Sequence, residues 1–170
     1  MTHRGIRREP PVSESIEIQR IVGAIPDPEM PALTIADLGI LRDIRVDAAG
    51  HIDVDITPTY SGCPALDTIR EDVERCVRDQ GYPDVTVHVV LSPAWTTEWM
   101  SEAGRVKLRE YGIAPPRQHG FDLTPLTIAV RCPRCDSVRT HEVAHFGSTQ
   151  CQAVRQCDGC GETFPHFKEH

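Results

Sequence analysis

Two Cys-x2-Cys pairs stand in the last third of the chain. Cys132 and Cys135 lie in CPRCDSVRTHEV, and Cys157 and Cys160 in CDGCGETF, with 21 residues between the pairs. Each pair offers two sulfurs to one ion, and two pairs complete a tetrahedron around zinc at about 2.3 Å per sulfur. The gap slightly exceeds the usual window of about 15–20 residues, which a longer hairpin accommodates. Gly159 and Gly161 suit the tight backbone of the second knuckle, and RTHEVAHF and CQAVRQC can pair as strands. A closed four-thiolate site leaves no position for substrate, so the expected role of this zinc is structural. The same donors accept iron in rubredoxin fashion. A thioredoxin-type redox pair would need only one Cys-x2-Cys, in a βαβ setting that is missing here.

Three cysteines remain. Cys76 falls on an apolar helical stripe and reads as a small core residue. Cys151, in FGSTQCQAV, either faces the core of the ribbon or serves as an extra reactive or metal-transfer thiol. Cys63 precedes Pro64 at the expected start of a helix, in TPTYSGCPALDTI. Free amides and partial positive charge at a helix start stabilise a thiolate and lower its pKa, so Cys63 reads either as a reactive thiol or as a mere cap. Asp27, Glu29 and Asp37 gather in DPEMPALTIADLGI, a proline-bounded loop that is either functional or a capped, solvated turn. His166 and His170 could assist a metal, but tail histidines are more often simply exposed.

The elements that must position these groups follow from periodicity. Ser13 is the expected N-cap of a helix carrying Ile18, Ile21, Val22 and Ile25, which Pro26 and Pro28 stop. Ile44 and Val46, then Ile52, Val54 and Ile56, alternate with polar residues as a hairpin with one buried face. Leu66, Ile69, Val73, Cys76 and Val77 form one stripe of a second helix with Pro64 at its first position, closed by Gly81. VTVHVVL reads as a third strand, apolar enough to be central. TTEWMSEAGRVKLREYG reads as a last helix weakened by Gly104. The fold class is α+β: a small mixed sheet with helices on one side, over residues 13–112. A proline-rich linker at 113–125 and a four-cysteine zinc ribbon at 126–170 complete the organisation. Few contacts are expected across the linker, so a chelator should unfold the ribbon and leave the first unit folded, with a proteolytic fragment ending near Gly120.

The net charge is −7, with 19 of the 25 acidic and 13 of the 18 basic residues in the first 120 positions. Nucleic-acid binding leaves a basic footprint that is missing here, so a protein or small-molecule partner is expected. No apolar run approaches the roughly 20 residues of a membrane span, and MTHRGIRREPPV lacks the apolar segment of a secretory signal. A cytoplasmic address follows, where disulfides are rare.

The segments IPDPEMPALTIADLGILRDI and ITPTYSGCPALDTIREDVE resemble the SufT-like domain family linked to iron–sulfur protein maturation. The positions that carry the resemblance are Asp27, Pro28, Glu29 and Pro31, then Thr57, Cys63 and Pro64. With LSPAWTTEWMSEAGRVKLREYGIAPP, FGSTQC and FPHFK, the chain over residues 14–170 resembles the PaaD (PaaJ) family of accessory proteins of the ring-1,2-phenylacetyl-CoA epoxidase. That resemblance implies a non-catalytic maturation factor in phenylacetate degradation. It would carry structural zinc and transiently hold iron or an iron–sulfur cluster at Cys63, helped by Cys151. The implied partners are the di-iron oxygenase subunits or the iron–sulfur and flavin reductase, with a homodimer left open. Two rivals remain: a structural subunit of the epoxidase, and a thiol-dependent enzyme using Cys63 with His51 or His88 as base. No Glu-x-x-His pair of a di-iron bundle occurs, which argues against the oxygenase itself.

Overall fold

The computed structural model describes residues 12–60, 62–117 and 130–169. The first unit contains α1 (Val12–Gly23), β1 (Leu41–Val46), β2 (Ile52–Ile56), α2 (Leu66–Asp79), β3 (Val85–Val89) and α3 (Glu102–Glu110). β1 and β2 form the expected antiparallel hairpin, and α2 carries the chain across so that β3 pairs parallel to β2. Ile52, Val54 and Ile56 are fully buried, while Asp53 and Asp55 between them face outward. On that outer face Arg45 reaches Asp43 and Asp55 at 2.7 Å, and His88 meets Asp53 at 2.6 Å. On the inner face α1 contributes Ile18 and Val22, and α2 contributes Ile69, Val73 and Val77.

Three expectations change. α1 begins at Val12, so Ser13 lies inside the helix and not ahead of it. β2 is the central strand, and β3 lies at the edge, where Val85 and Val87 are half-covered and Val89 is exposed. Its apolar run reflects β propensity, which does not distinguish a central strand from an edge strand. The last helix is also shorter than read. A 3-10 turn at Thr97–Trp99 comes first, and Ser101 then caps α3, its side chain accepting from the Gly104 N–H.

Close backbone approach explains the glycine that looks like a flaw in the last helix. A Cβ on Gly104 would lie 2.9 Å from the Asp37 carbonyl oxygen, so only glycine lets α3 sit against that loop. Asp37 then fastens α3: its carbonyl accepts from the Ser101 N–H at 2.8 Å and its carboxylate meets Lys107 at 2.6 Å. Across the same junction Gly39, at φ +67°, has no room for a Cβ beside the Trp99 carbonyl.

The ribbon consists of β4 (Thr140–Ala144), β5 (Gln152–Cys157) and β6 (Thr163–Phe167), an antiparallel sheet in that order. It is not held at a distance. Phe167 is fully buried and Cys151 nearly so, and both belong to the core of the first unit. The Phe167 ring lies 6.1 Å from that of Trp95, and Gln152 Nε2 approaches Met30 Sδ at 3.1 Å. Ala114 pairs beside β6, its N–H donating to the Pro165 carbonyl and its own carbonyl accepting from Phe167 N–H, each at 2.9 Å. Buried Arg105 donates to the Pro116 and Thr97 carbonyls at 2.6 Å. The expectation of few shared contacts is therefore overturned. Prolines signal a break in regular structure, and an extended segment can still pair edge to edge. Residues 118–125 of the expected linker, and Gly120 with them, lie outside the described residues.

Two outcomes follow. Gly104→Ala should lower stability in denaturant titration, because overpacking of about 1–3 kcal/mol outweighs the roughly 1 kcal/mol of helix propensity gained. Phe167→Ala should cost about 3–5 kcal/mol, and a chelator should now shift the unfolding of both units together, read by the fluorescence of Trp95.

Candidate functional site

The ribbon cysteines meet as their spacing requires. All seven cysteines are free thiols, and the Sγ atoms of Cys132, Cys135, Cys157 and Cys160 lie within 4.8 Å of one another. Cys132 Sγ is 3.8 Å from Cys160 Sγ, and Cys135 Sγ is 3.6 Å from Cys157 Sγ. A tetrahedron with 2.3 Å bonds has edges of about 3.8 Å, so the four sulfurs fit zinc. Within the knuckle Cys157 is the sulfur that accepts hydrogen bonds. Although desolvation works the other way, backbone N–H groups of Cys160 and Gly159 bring its pKa down to about 6. The Gly159 N–H donates to Cys157 Sγ at 3.3 Å, and Gly161 adopts φ +75°. Zinc held there would tie the start of β4 to the β5–β6 turn. His166 takes no part: it is buried on β6, its Nε2 finds no partner among the described residues, and burial pushes its pKa down to about 4. His170 lies outside the described residues.

A second group forms where the ribbon meets the first unit. Asp27 is buried, and its Oδ1 accepts the N–H groups of Glu29 at 3.0 Å and Met30 at 2.7 Å. That turn aims Glu29, half-exposed, toward the segment after β2. There Cys63 sits half-buried, its N–H donating to the Tyr60 carbonyl at 3.3 Å. Cys151 arrives from the start of β5 with its Sγ 3.0 Å from the Thr149 hydroxyl. Burial pushes the Cys63 thiol up to about 11; the Ala65 N–H eases this, and Glu29, Asp27 and Cys151 add to it. Cys151 is raised by burial first, then by the same two carboxylates. Burial raises Asp27, and burial with the Asp27 charge raises Glu29. The Tyr60 hydroxyl, pushed up to about 12 by burial and by Glu29, Cys63 and Cys151, is fully enclosed.

The lowered pKa expected for Cys63 is thus reversed. α2 begins only at Leu66, with Ala65 as its cap, so Cys63 stands ahead of the helix start and not at it. Desolvation and two carboxylates then dominate. The three loop acids also separate: Asp37 fastens α3, leaving Asp27 and Glu29 with the thiols. Thr57 is buried just after β2, with its N–H on the Ile40 carbonyl, while Pro28, Pro31 and Pro64 are exposed and shape the two turns. Cys76 is half-buried on α2. Nothing in the sequence reading singles out Tyr60, although an aromatic hydroxyl three residues before a cysteine in a turn is visible there. His51 and His88 are engaged by Asp84 and Asp53 on the outer sheet face. Both lie on that outer face, whereas Cys63 packs against the core.

Among the described residues neither Asp27 nor Glu29 forms an ion pair, and the charge of both carboxylates raises the Cys63 and Cys151 thiols. Because Asp27 is raised on folding, the folded chain binds the proton more tightly than the unfolded one, and stability falls as pH rises through that interval. Asp27→Asn keeps an oxygen for both backbone N–H groups and removes the buried charge. It should leave the metal-free protein at least as stable at neutral pH and flatten its stability profile in the carboxylate range, as read by urea titrations across pH.

Comparison with known proteins agrees with both halves. Residues 17–89 match the family described as iron-sulfur cluster assembly protein, and residues 117–168 match the PaaD zinc beta ribbon domain. A protein of Escherichia coli (strain K12), provisionally named as the D component of 1,2-phenylacetyl-CoA epoxidase, is 45% identical over 89% of this chain and 91% of its own. An Fe-S protein maturation auxiliary factor of Porphyromonas gingivalis is 34% identical over 54% of this chain and 88% of its own. SufT of Staphylococcus aureus, also named an Fe-S protein maturation auxiliary factor, is 34% identical over 48% of this chain and 93% of its own. A solved DUF59 domain from Bacillus anthracis superposes with a TM-score of 0.53 at 26% identity, covering 56% of this chain and 92% of that one.

Proposed function

Since this chain belongs to the PaaD family of 1,2-phenylacetyl-CoA epoxidase components, we propose that it is a maturation factor for that epoxidase, assisting the assembly or delivery of iron or an iron–sulfur cluster. The observation that carries this reading is the match of one chain to both an iron-sulfur cluster assembly family and the PaaD zinc ribbon, with Cys151 of the ribbon in the same core that Cys63 packs against. Cys63 is the thiol that holds the cargo, and Cys151 assists it. Asp27, Pro28, Glu29 and Pro31 form one wall, and Thr57 and Pro64 frame the turn that presents Cys63. A thiol kept protonated by burial is inert toward oxidants and electrophiles until a metal ion displaces its proton, which suits transient loading.

The proposed division of the chain is an assembly domain over 13–112, a connector over 113–125 and a ribbon over 126–170, with zinc on Cys132, Cys135, Cys157 and Cys160. The recipients are the di-iron oxygenase subunits or the iron–sulfur and flavin reductase of the epoxidase. The chain is itself non-catalytic, in keeping with relatives named maturation auxiliary factors. Among the described residues no helix is long and apolar enough to cross a membrane, and the work we propose takes place in the cytoplasm.

Expressing the epoxidase components with wild-type chain or with Cys63→Ala tests this. Ring oxygenation of phenylacetyl-CoA and the iron content of the purified partners should both fall to the level seen without the chain. Full activity and full iron occupancy with Cys63→Ala would sink the reading. Stoichiometric co-purification with the oxygenase at unchanged iron content would instead identify a structural subunit.

A further inference from the structure

Among the described residues the two sheets leave β1, β3 and β4 each with one edge that no strand covers. β1 and β4 are blunted by the devices that keep an open edge from pairing. Each has a register break, between Leu41 and Asp43 on one and between Glu142 and Ala144 on the other. Each also carries charge: Arg42, Asp43 and Arg45 on β1, and Glu142 on β4. β3 has neither device. Its register with β2 is unbroken from Val85 to Val89, and VTVHV contains no Lys, Arg, Asp, Glu or Pro. Its one titratable side chain, His88, is already engaged by Asp53 at 2.6 Å. The Ile52 N–H donates to the Asp84 carbonyl at 3.0 Å, and the Val90 N–H donates to the Ile56 carbonyl at 2.8 Å. Residues 84, 86, 88 and 90 therefore bond to β2, and the N–H and C=O groups of Val85, Val87 and Val89 point away from the sheet. The three valine side chains share the face of Ile52, Val54 and Ile56, yet Val85 and Val87 are only half-covered and Val89 is 39% exposed.

We infer that β3 is a self-pairing edge: two copies of this chain join β3 to β3 antiparallel, about a twofold axis at Val87, and fuse their sheets into one. The occupant is a second copy because the strand is complementary to itself. Val87 lies at the middle of the three outward residues, so it exchanges two bonds with its own twin. Val85 then pairs with the copy's Val89, and every outward N–H and C=O of both strands is satisfied. On the inner face the valines of the two strands meet in a continuous stripe and cover apolar surface that α2 leaves open. On the outer face Thr86 stands opposite the copy's His88, so no like charges oppose each other. The same axis runs α2 antiparallel to its copy, which sets its acidic first turn at Asp67 on the side of the copy's basic last turn at Arg78. One strand pair and one valine stripe make a small interface, so the dimer forms and parts with concentration. This pairing requires neither the cargo nor its delivery, and it stands independently of the proposed function.

The test uses the full chain loaded with zinc. Sedimentation equilibrium between about 5 and 500 µM should show the mass rising from 18.9 kDa toward twice that value. Amide hydrogen exchange on the same samples should slow at Val85, Val87 and Val89 as concentration rises, and stay unchanged along β1 and β4. Val87→Pro removes one outward N–H at a position where an edge strand tolerates proline. It should keep the fold and weaken self-association at least about tenfold, through the loss of one hydrogen bond from each copy. Val89→Lys places a charge at the exposed end of the valine stripe and should weaken self-association to a similar degree. Retained zinc and a cooperative urea transition establish that each variant is folded, and if neither is, the mass and the amide exchange of the wild-type chain decide. A chain that stays at 18.9 kDa throughout would overturn the inference. So would a dimer that both folded variants leave intact, or one in which the three valine amides exchange as fast as in the monomer. Slowed exchange at those amides only when an epoxidase component is added to a monomeric chain would overturn it too, and would assign the edge to a strand of that component.

Discussion

The burial of Phe167 and Cys151 in the core of the first unit is the constraint on which the rest depends. A zinc ribbon has too little apolar interior to fold by itself and draws on its metal for stability. Here it also lends two residues to a neighbouring core. The parallel pairing of Ala114 with β6 and the Phe167–Trp95 contact fix where the ribbon sits, and that position brings Cys151 to the Asp27–Glu29 turn. Zinc ligation, core packing and the geometry of the junction are consequently one problem for this chain.

The junction itself is costly for the fold. Burial raises the proton affinity of two carboxylates, two thiols and an enclosed phenol here, and the carboxylates raise that of the thiols further. A stability-optimised core would place apolar residues there. The fold tolerates this cost because Ile18, Val22, Ile69 and Val73 supply an ordinary core nearby.

Legibility in the sequence follows the range of the interactions. The four zinc ligands can be read because each pair is fixed by a four-residue turn, and the hairpin and α2 because their periods are local. The state of Cys63 cannot, since its thiol answers to Asp27, Glu29 and Cys151, which lie 36, 34 and 88 positions away in the chain. The role of Gly104 is hidden for the same reason: what it avoids is the Asp37 carbonyl, and not anything within its own helix. Pro115 and Pro116 do lie outside regular structure, but the described residues on either side of the connector share a core.

The order in which the core is made has its own consequence. Ile18 to Leu108 of that core are translated well before Phe167, which follows Leu108 by about 60 residues. At roughly 5–20 residues per second the ribosome needs about 3–12 s to supply it. During that interval the assembly domain has a vacancy beside Trp95, and the last side chain to enter it comes from the strand that follows the second zinc knuckle. Nascent chains therefore carry an unfinished core until β6 is made, and zinc uptake by the knuckles that flank β5 and β6 is tied to its completion.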